Sequence, residues 1–275
     1  MNLTAPSEVK ALLDQLDFRP SKVLGQNFLI DANILKIILT TAFLHQSDGV
    51  LEIGPGLGVL TEWLARWSGK VVAIEKDRRL FDYLSERFEK TRNLRLIHAD
   101  ALDVNLDEIL ADGVNKVVAN LPYSVGSRLL VELTELPHRP EQIVVTVQRE
   151  VAERLTAKPG TRDYGLLTVF AQLRYDIGIR KEVSPTCFYP PPDVHSAIVN
   201  MVLRDEQPEL RDVEQFKALV KTAFAQRRKQ LLTVLKKNFP TGIEDTMQKL
   251  GIDLRARPEN LSPTQWTALA NALAK

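Results

Sequence analysis

A glycine-rich turn between an apolar strand and an amphipathic helix places the strongest limit on the fold of this chain. Residues 50–53 (Val-Leu-Glu-Ile) have the pattern of a short buried strand, and residues 54–58 are Gly-Pro-Gly-Leu-Gly. Apolar residues then recur at helical spacing from Leu57 to Trp67. Glycines let the backbone approach a ligand closely, and the helix that follows offers free N–H groups at its start. The pattern is typical of the first strand, turn and helix of a nucleoside-binding sheet.

Carboxylates end the next two strands. Residues 71–74 (Val-Val-Ala-Ile) form a second strand, and Glu75 follows it, 21 residues after Gly54. In nucleoside-binding sheets an acidic residue at about this spacing accepts hydrogen bonds from the ribose hydroxyls. A third strand over residues 94–99 delivers Asp100 to the same edge, where it can accept from an adenine amino group. One strand-end carboxylate is usually only solvated, but two beside a glycine turn favour a ligand site.

Strands and helices alternate through the first half of the chain. Residues 117–119 are a fourth strand that leads into Asn120, and residues 143–147 are a fifth. This alternation predicts an α/β fold with a Rossmann-like, mainly parallel sheet covered by helices on both faces. Apolar and polar residues alternate over 175–180 and again over 197–203, which predicts an antiparallel hairpin at the edge of the sheet.

The chain changes character near residue 207. From there the pattern is helical, with breaks at Pro240, Gly251 and Pro258, which predicts a small all-helical domain. We divide the chain into residues 1–206, a ligand-binding domain with an N-terminal arm, and residues 207–275, a helical RNA-binding domain. A charge run is usually a solvated face, but an acid-free one beside a nucleoside site fits phosphate contacts. The run contains Lys221, Arg227, Arg228, Lys229, Lys236 and Lys237.

Composition excludes several classes of protein. With 275 residues, of which 44% are hydrophobic and 26% charged, the chain is neither disordered nor fibrous. The net charge of +1 means that any preference for nucleic acid must come from the placement of basic residues. Cys187 is the single cysteine, and the four histidines are scattered, so no metal-ligand set is expected. Because we find neither a signal peptide nor a membrane span, we expect a cytoplasmic protein, and we take it as a monomer.

The turn alone does not distinguish a dinucleotide cofactor from S-adenosylmethionine, whereas residues 120–123 (Asn-Leu-Pro-Tyr) do. The exocyclic nitrogen of adenine is a poor nucleophile because its lone pair is delocalised into the ring, so acceptors must hold its N–H groups. The Asn120 side-chain oxygen and the Leu121 carbonyl can accept those bonds. Tyr123 and Phe188 can stack on the two faces of the base. Methyl transfer of this kind needs no metal. For the tetrapeptide taken alone, a polar turn closed by proline is the simpler interpretation.

A proline-rich loop separates the two predicted edge strands. Residues 185–192 contain four prolines around Cys187, Phe188 and Tyr189. Such a stiff loop is expected to hold the ring of Phe188 out of the core. A hydrophobic plug beneath the loop is an alternative that this segment leaves open.

Six short motifs, in order along nearly the whole chain, carry a family resemblance. They are residues 25–29 (Gly-Gln-Asn-Phe-Leu), 51–56 (Leu-Glu-Ile-Gly-Pro-Gly), 120–123, 148–154 (Gln-Arg-Glu-Val-Ala-Glu-Arg), 188–192 (Phe-Tyr-Pro-Pro-Pro) and 227–229 (Arg-Arg-Lys). Together they resemble the small-subunit ribosomal RNA adenine dimethyltransferases, the KsgA family. The resemblance implies a Rossmann-like methyltransferase with S-adenosylmethionine as donor. It also implies N6,N6-dimethylation of two adjacent adenosines in the loop of the 3′-terminal hairpin of small-subunit (16S) rRNA, and a role in assembly of the small ribosomal subunit.

The resemblance also implies roles for individual residues. The residues expected to act on the target base are Asn120, Leu121, Tyr123 and Phe188. The expected cofactor contacts are Gln26, Asn27, Leu29, Gly54, Gly56, Glu75, Lys76, Asp100, Ala101 and Asn120. RNA contacts are expected from Arg149, Arg154 and the basic run, in which residues 227–229 are read as helical.

Some positions depart from the family pattern, and related activities stay open. Residues 20–24 are less basic than is usual, His195 stands where aspartate is common, and Leu166 replaces a common arginine. One alternative is a large-subunit rRNA adenine methyltransferase of the macrolide-resistance type, which usually has isoleucine in place of Leu121. A second is a non-catalytic RNA-binding factor on the same fold. A third is a DNA adenine methyltransferase, which commonly has Pro-Pro in place of Leu121 and Pro122.

Overall fold

The computed structural model describes residues 2–21, 24–237 and 242–274. Lys22 and Val23, in the segment that departs from the family pattern, and Pro240, a predicted break, lie outside these ranges. In chain order the helices are α1 (Pro6–Gln15), α2 (Ala32–Ala42), α3 (Val59–Trp67), α4 (Arg78–Arg87), α5 (Leu106–Ala111), α6 (Gly126–Glu135), α7 (Arg149–Leu155), α8 (Leu166–Arg174), α9 (Val213–Ala225), α10 (Leu231–Leu235), α11 (Ile243–Lys249) and α12 (Pro263–Leu273).

The strands form one large sheet and one small one. They are β1 (Phe28–Leu29), β2 (Gly49–Ile53), β3 (Lys70–Glu75), β4 (Leu94–His98), β5 (Lys116–Asn120), β6 (Gln142–Gln148), β7 (Tyr175–Val183), β8 (Phe188–Tyr189) and β9 (Ser196–Leu203). Among the described residues, seven strands form the large sheet in the order β4-β3-β2-β5-β6-β9-β7, and β1 pairs with β8. The pairs of β2 with β3 and β5, of β3 with β4, and of β5 with β6 are parallel, whereas β9 runs antiparallel to β6. The predicted Rossmann-like α/β sheet with an antiparallel edge is confirmed.

The central strands are apolar because both of their faces are covered. Every residue of β2 is buried, and so is every residue of β3 after Lys70. Parallel strands between two helical layers read as continuous apolar runs for this reason. Helix α2 follows its N-cap, Asp31, whose side chain accepts hydrogen bonds from the backbone N–H groups of Asn33 and Ile34.

The turn between β2 and α3 needs its glycines. Gly54, Gly56 and Gly58 have φ angles of 70°, 59° and 78°, a region that favours glycine. A Cβ at Gly56 would lie 2.9 Å from a ring carbon of Phe28, so even an alanine would clash there. The backbone N–H of Gly54 donates to the Ile74 carbonyl at 2.9 Å, which ties the turn to β3. The turn therefore lies directly against the end of the neighbouring strand.

The segment expected to be an N-terminal arm is packed against the core. Helix α1 contributes buried apolar side chains to a cluster that includes Phe28, Leu57 and Leu80. The residues that it and its flanks contribute are Leu3, Val9, Leu12, Leu13 and Phe18. Because its apolar face is covered, this segment behaves as part of the fold around the glycine turn.

The chain divides into two compact units. The first contains Met1–Ala152 and Ile177–Leu203, and the second contains Glu153–Asp176 and Arg204–Lys275. The second unit therefore takes in Glu153–Asp176, a segment that the predicted division at residues 206 and 207 assigned to the first domain. Within the second unit, Phe170 on α8 packs edge to face on Phe216 of α9 at 5.8 Å, and the Tyr164 hydroxyl donates to the Leu261 carbonyl at 2.7 Å. These contacts bind the segment to parts of the second unit that are distant in sequence.

No helix in the described ranges combines the length and the apolar character that a bilayer crossing requires.

Candidate active site

A cavity lies at the carboxyl edge of β2, β3, β4 and β5 in the first unit. The parallel register brings these strand ends together, as expected for a switch-point cleft. All ten predicted cofactor residues line this one cavity: Gln26, Asn27, Leu29, Gly54, Gly56, Glu75, Lys76, Asp100, Ala101 and Asn120. Residues from five separate parts of the sequence are thus brought together, while their individual roles stay predictions.

Glu75 lies under the glycine turn. Its side chain is 6% exposed, Oε2 accepts from the Gly56 backbone N–H at 3.1 Å, and Oε1 accepts from the Asp77 N–H at 2.8 Å. Burial raises the pKa of Glu75 above its usual range, and the two backbone N–H donors oppose that shift. The carboxylate is thereby oriented in a partly apolar cavity, which strengthens hydrogen bonds that a ligand hydroxyl donates to it.

Asp100 is held on one side by a cation. Lys76 Nζ lies 2.6 Å from Asp100 Oδ2, and the Leu102 N–H donates to Oδ1 at 3.0 Å. The hydrogen bond from Lys76 lowers the pKa of Asp100 below its usual range. Asp100 is therefore ionised at neutral pH and acts as a hydrogen-bond acceptor at the cavity wall.

The amide of Asn120 is oriented by the chain itself. Asn120 Nδ2 donates to the Asn27 carbonyl at 3.0 Å, while its Oδ1 is buried and has no hydrogen-bond partner among the described residues. The assignment of nitrogen and oxygen follows from this bond, because only the nitrogen can donate to a carbonyl. An acceptor without a partner is costly inside a protein unless a ligand supplies the donor. The arrangement suits a ligand that donates an N–H.

The segment that follows Asn120 is anchored to the sheet. The Leu121 N–H donates to the Thr146 carbonyl at 3.1 Å, and the Leu121 side chain is 2% exposed. Tyr123 is half-buried, and its hydroxyl is hydrogen-bonded to Ser196 Oγ. A Cβ on Gly25 would lie 2.9 Å from the Tyr123 nitrogen, so only glycine lets the two loops meet. Sequence reasoning assigned no role to Ser196, because no local pattern marks a contact between residues so far apart.

Phe188 is not held out of the core. Its side chain is 2% exposed and belongs to the apolar cluster that contains Leu29 and Ile198. The expectation that the proline-rich loop holds this ring out of the core was therefore wrong. The alternative interpretation, a hydrophobic plug beneath the loop, agrees with the burial of the ring. Strand β8 pairs Phe188 with Leu29 of β1, so the loop is joined to residues 25–29, which line the cavity. The predicted contact of Phe188 with a target base stays a prediction.

Comparison with known proteins decides the family. The family model described as ribosomal RNA adenine dimethylase matches residues 18–275. The chain belongs to the ribosomal RNA adenine dimethylase family. The family resemblance read from the six motifs is confirmed, and so is the predicted enzyme class, an rRNA adenine dimethyltransferase.

Relatives of this dimethylase chain match over its full length. The chain is 42% identical to a ribosomal RNA small subunit methyltransferase A of Geobacillus kaustophilus, over 99% of this chain and 97% of that protein. It is 38% identical to a protein of the same name from Chlamydia caviae, over 100% and 99%. Among solved structures, a dimethyladenosine transferase from Plasmodium falciparum has a TM-score of 0.76 at 26% identity, covering 88% of this chain and 95% of that one. The 23S rRNA methyltransferase ErmE has a TM-score of 0.65 at 28% identity, covering 90% and 99%.

A buried acid in the dimethylase cavity was not predicted as a site residue. Glu52, on β2, is 2% exposed and lines the cavity, and its Oε2 has no hydrogen-bond partner within the part of the chain that the structure describes. Burial raises the pKa of Glu52 from 4.5 to about 8, and the nearby carboxylate of Glu75 adds to the shift. The one signal in the sequence is that Glu52 is a charged residue within an otherwise apolar strand.

The basic run of this dimethylase chain has acidic neighbours in the structure, although its own sequence contains no acid. Arg227 lies 3.5 Å from Glu259 and donates to the Thr161 carbonyl at 3.1 Å, and Lys236 lies 2.6 Å from Glu244. Folding of the second unit brings these acids from later segments. Helix α9 ends at Ala225, so residues 227–229 lie in a turn, and the expected helix is wrong there. Lys221, Arg228, Lys229 and Lys237 are exposed.

The two arginines expected near the end of β6 differ in environment. Arg149 is exposed and lies 3.9 Å from Glu182. Arg154 is partly buried. Their contacts with RNA stay predictions.

Proposed function

We propose that this chain transfers two methyl groups from S-adenosylmethionine to the N6 atom of each of two adjacent adenosines in the 3′-terminal loop of small-subunit rRNA. The substrate is an assembling small ribosomal subunit in the cytoplasm, and the chain acts as a monomer. The observation that carries this proposal is the buried Oδ1 of Asn120 in the cavity lining, which has no hydrogen-bond partner in the described part of the chain.

The chemistry requires acceptors at the target amine. Asn120 Oδ1 and the Leu121 carbonyl each accept one N–H of the amino group, which reduces delocalisation of the nitrogen lone pair into the ring and directs it toward the methyl group. The bond from Asn120 Nδ2 to the Asn27 carbonyl keeps the oxygen facing the base. S-adenosylmethionine supplies an electrophilic methyl group on its sulfonium. After transfer the nitrogen carries an extra proton and releases it to water, so no strong base is needed.

The cavity residues fit the cofactor. The Gly56 backbone can approach the cofactor without a side chain, Glu75 can accept from the ribose hydroxyls, and Asp100 can accept from the adenine amino group. The three groups line the same cavity. Their chemistry as acceptors matches the donors of a nucleoside.

Small-subunit rRNA is favoured over large-subunit rRNA. The relatives that match nearly the full chain at 38% to 42% identity carry the name ribosomal RNA small subunit methyltransferase A. Identity with the 23S rRNA methyltransferase ErmE is lower, at 28%. Leu121, where large-subunit enzymes usually have isoleucine, points the same way.

The experiment is transfer of labelled methyl from S-adenosylmethionine to unmethylated small subunits, with large subunits in parallel and nucleoside analysis of the product. We expect N6,N6-dimethyladenosine in the small subunit alone. Label only in the large subunit would reassign the substrate. Tight RNA binding without any label would make the chain a non-catalytic RNA-binding factor.

A further inference from the structure

The ring of Tyr123 is held at its hydroxyl by a residue of the central sheet. Tyr123 Oη is hydrogen-bonded to Ser196 Oγ. Ser196 is the first residue of β9, is fully buried, and lies opposite Gln148 of β6. The contact therefore starts from a rigid element, which positions a side chain more accurately than a loop does.

The backbone on both sides of Tyr123 is also held. Before it, the Leu121 N–H donates to the Thr146 carbonyl at 3.1 Å; after it, the Val125 and Gly126 N–H groups donate to the Pro122 carbonyl at 3.2 and 3.0 Å. With the backbone held, the ring moves only through two side-chain torsions. Tyr123 Oη lies on the axis of the second torsion, so its hydrogen bond to Ser196 restrains the first torsion and determines where the ring lies.

The Tyr123 hydroxyl is suited to holding the ring and not to moving a proton. Burial raises the pKa of Tyr123 above its usual range, and the Ser196 hydrogen bond opposes that shift with a smaller effect. The phenol is therefore neutral at physiological pH. Its remaining contribution is geometric.

We propose that Ser196 is a positioning residue for methyl transfer, which from the buried start of β9 holds the Tyr123 ring in the place where it receives the target adenine. This inference rests on the proposed function. It bears most on the second methyl group, because a monomethylated amine has one N–H left for Asn120 Oδ1 and the Leu121 carbonyl. With one hydrogen bond fewer, the base depends more on its stacking contact with Tyr123.

A double-mutant cycle tests the inference. Ser196→Ala, Tyr123→Phe and the double variant are compared on unmethylated small subunits, with the ratio of monomethyl- to dimethyladenosine as readout. We expect each single variant to slow the second transfer about tenfold, since small losses of alignment have effects of this size. The double variant is expected to lose no more than either single one, because both remove the same bond. Ser196→Thr keeps a hydroxyl and is expected to restore the product ratio, and the KM for S-adenosylmethionine is expected to stay unchanged.

The matched control is Ser68→Ala. Ser68 is also fully buried, and its Oγ donates to the Leu64 carbonyl at 2.7 Å, away from the residues that line the cavity. We expect it to lower the melting temperature without changing the product ratio. Additive losses in the double variant, or a wild-type product ratio in Ser196→Ala, would overturn the role of Ser196 while leaving the proposed function intact. A wild-type chain that forms no dimethyladenosine would overturn both.

Discussion

At the scale of single residues, the proposed methyl transfer depends on the orientation of one amide. The Asn120 nitrogen is bound to the Asn27 carbonyl, and the oxygen, which has no partner among the described residues, is the acceptor that the proposal assigns to the target amine. We expect Asn120→Ala to lower the rate of methyl transfer about a hundredfold or more, because the variant has no positioned acceptor at the reacting group. RNA binding is expected to stay nearly unchanged, since the inserted base is the only part of the RNA that the proposal places against this amide. Single-turnover transfer and RNA-binding assays measure the two effects separately.

The control for this change is Asn33→Ala, which removes an exposed amide on α2 of the same unit. Its transfer rate and RNA affinity are expected to match those of the unmodified chain. If Asn120→Ala weakened RNA binding as much as methyl transfer, the role assigned to Asn120 would be wrong.

A second residue-scale prediction concerns stability and pH. The pKa of Glu52 is raised from 4.5 to about 8 in the folded chain. At pH values between these two, the Glu52 carboxyl is ionised in the unfolded chain and protonated in the folded chain. The contribution of Glu52 to the free energy of unfolding therefore falls as pH rises, by about 1.4 kcal/mol for each unit of pKa shift. We expect Glu52→Gln to raise the free energy of unfolding at pH 7.5 and to have little effect near pH 4.5. Urea unfolding at both pH values measures this, and an equal effect at the two would contradict it.

At the scale of elements, a buried ion pair fixes the start of β5. Lys116 Nζ lies 2.9 Å from Asp48 Oδ2 and donates to the Ala42 and Phe43 carbonyls at 3.1 and 3.0 Å. Lys116 thus joins the end of α2, the start of β2 and β5. We expect Lys116→Met to lower the free energy of unfolding by about 3 to 5 kcal/mol, because Asp48 is left buried without its cation. Chemical denaturation measures the change.

The control is Lys70→Met at the start of β3. Lys70 also pairs with an aspartate, Asp112, at 2.6 Å, but the two side chains are 36% and 67% exposed. An exposed pair contributes at most about 1 kcal/mol. Comparable losses in the two variants would show that burial of the Lys116 pair has no special effect.

At the scale of the whole molecule, we expect RNA affinity to depend on exposed cations of the second unit. Arg227 is committed to Glu259 and to the Thr161 carbonyl, whereas Arg228 and Lys229 are exposed. We therefore expect Arg228→Glu with Lys229→Glu to weaken binding to small-subunit rRNA. The slope of log affinity against log salt is expected to become shallower by about 0.7 for each phosphate that the variant no longer neutralises. Binding measured between low and high salt gives both quantities.

Cofactor affinity is expected to be unaffected by that change, because the cavity lies within the first unit. The control is Lys10→Glu with Lys249→Glu, two exposed lysines outside the run that give the same change in net charge. If the control pair weakened RNA binding equally, the effect would reflect net charge and not a defined surface.

The sequence by itself determined the sheet and the strand-end residues that line the predicted cofactor cavity. Alternating and continuous apolar patterns identify the strands from neighbouring residues alone. Because parallel strands end at the same edge of a sheet, residues that follow them, such as Glu75 and Asp100, are brought together there. The predicted cofactor residues Glu75, Asp100 and Asn120 line one cavity for this reason, whereas Gln26, Asn27 and Leu29 were assigned from the family resemblance. The Asp31 helix cap could be predicted equally well, because a cap depends on residues within one turn.

Only the tertiary structure decided the contacts between segments distant in sequence. Two of these are hydrogen bonds between residues more than 70 positions apart, from Tyr123 to Ser196 and from Asn120 to Asn27. A third is the burial of Phe188, which depends on what covers its side chain. Arg227 pairs with Glu259 from a later segment, which a basic run read along the sequence does not show. Local patterns specify which face of an element is apolar, whereas the partner that covers it or bonds to it is selected when the elements pack.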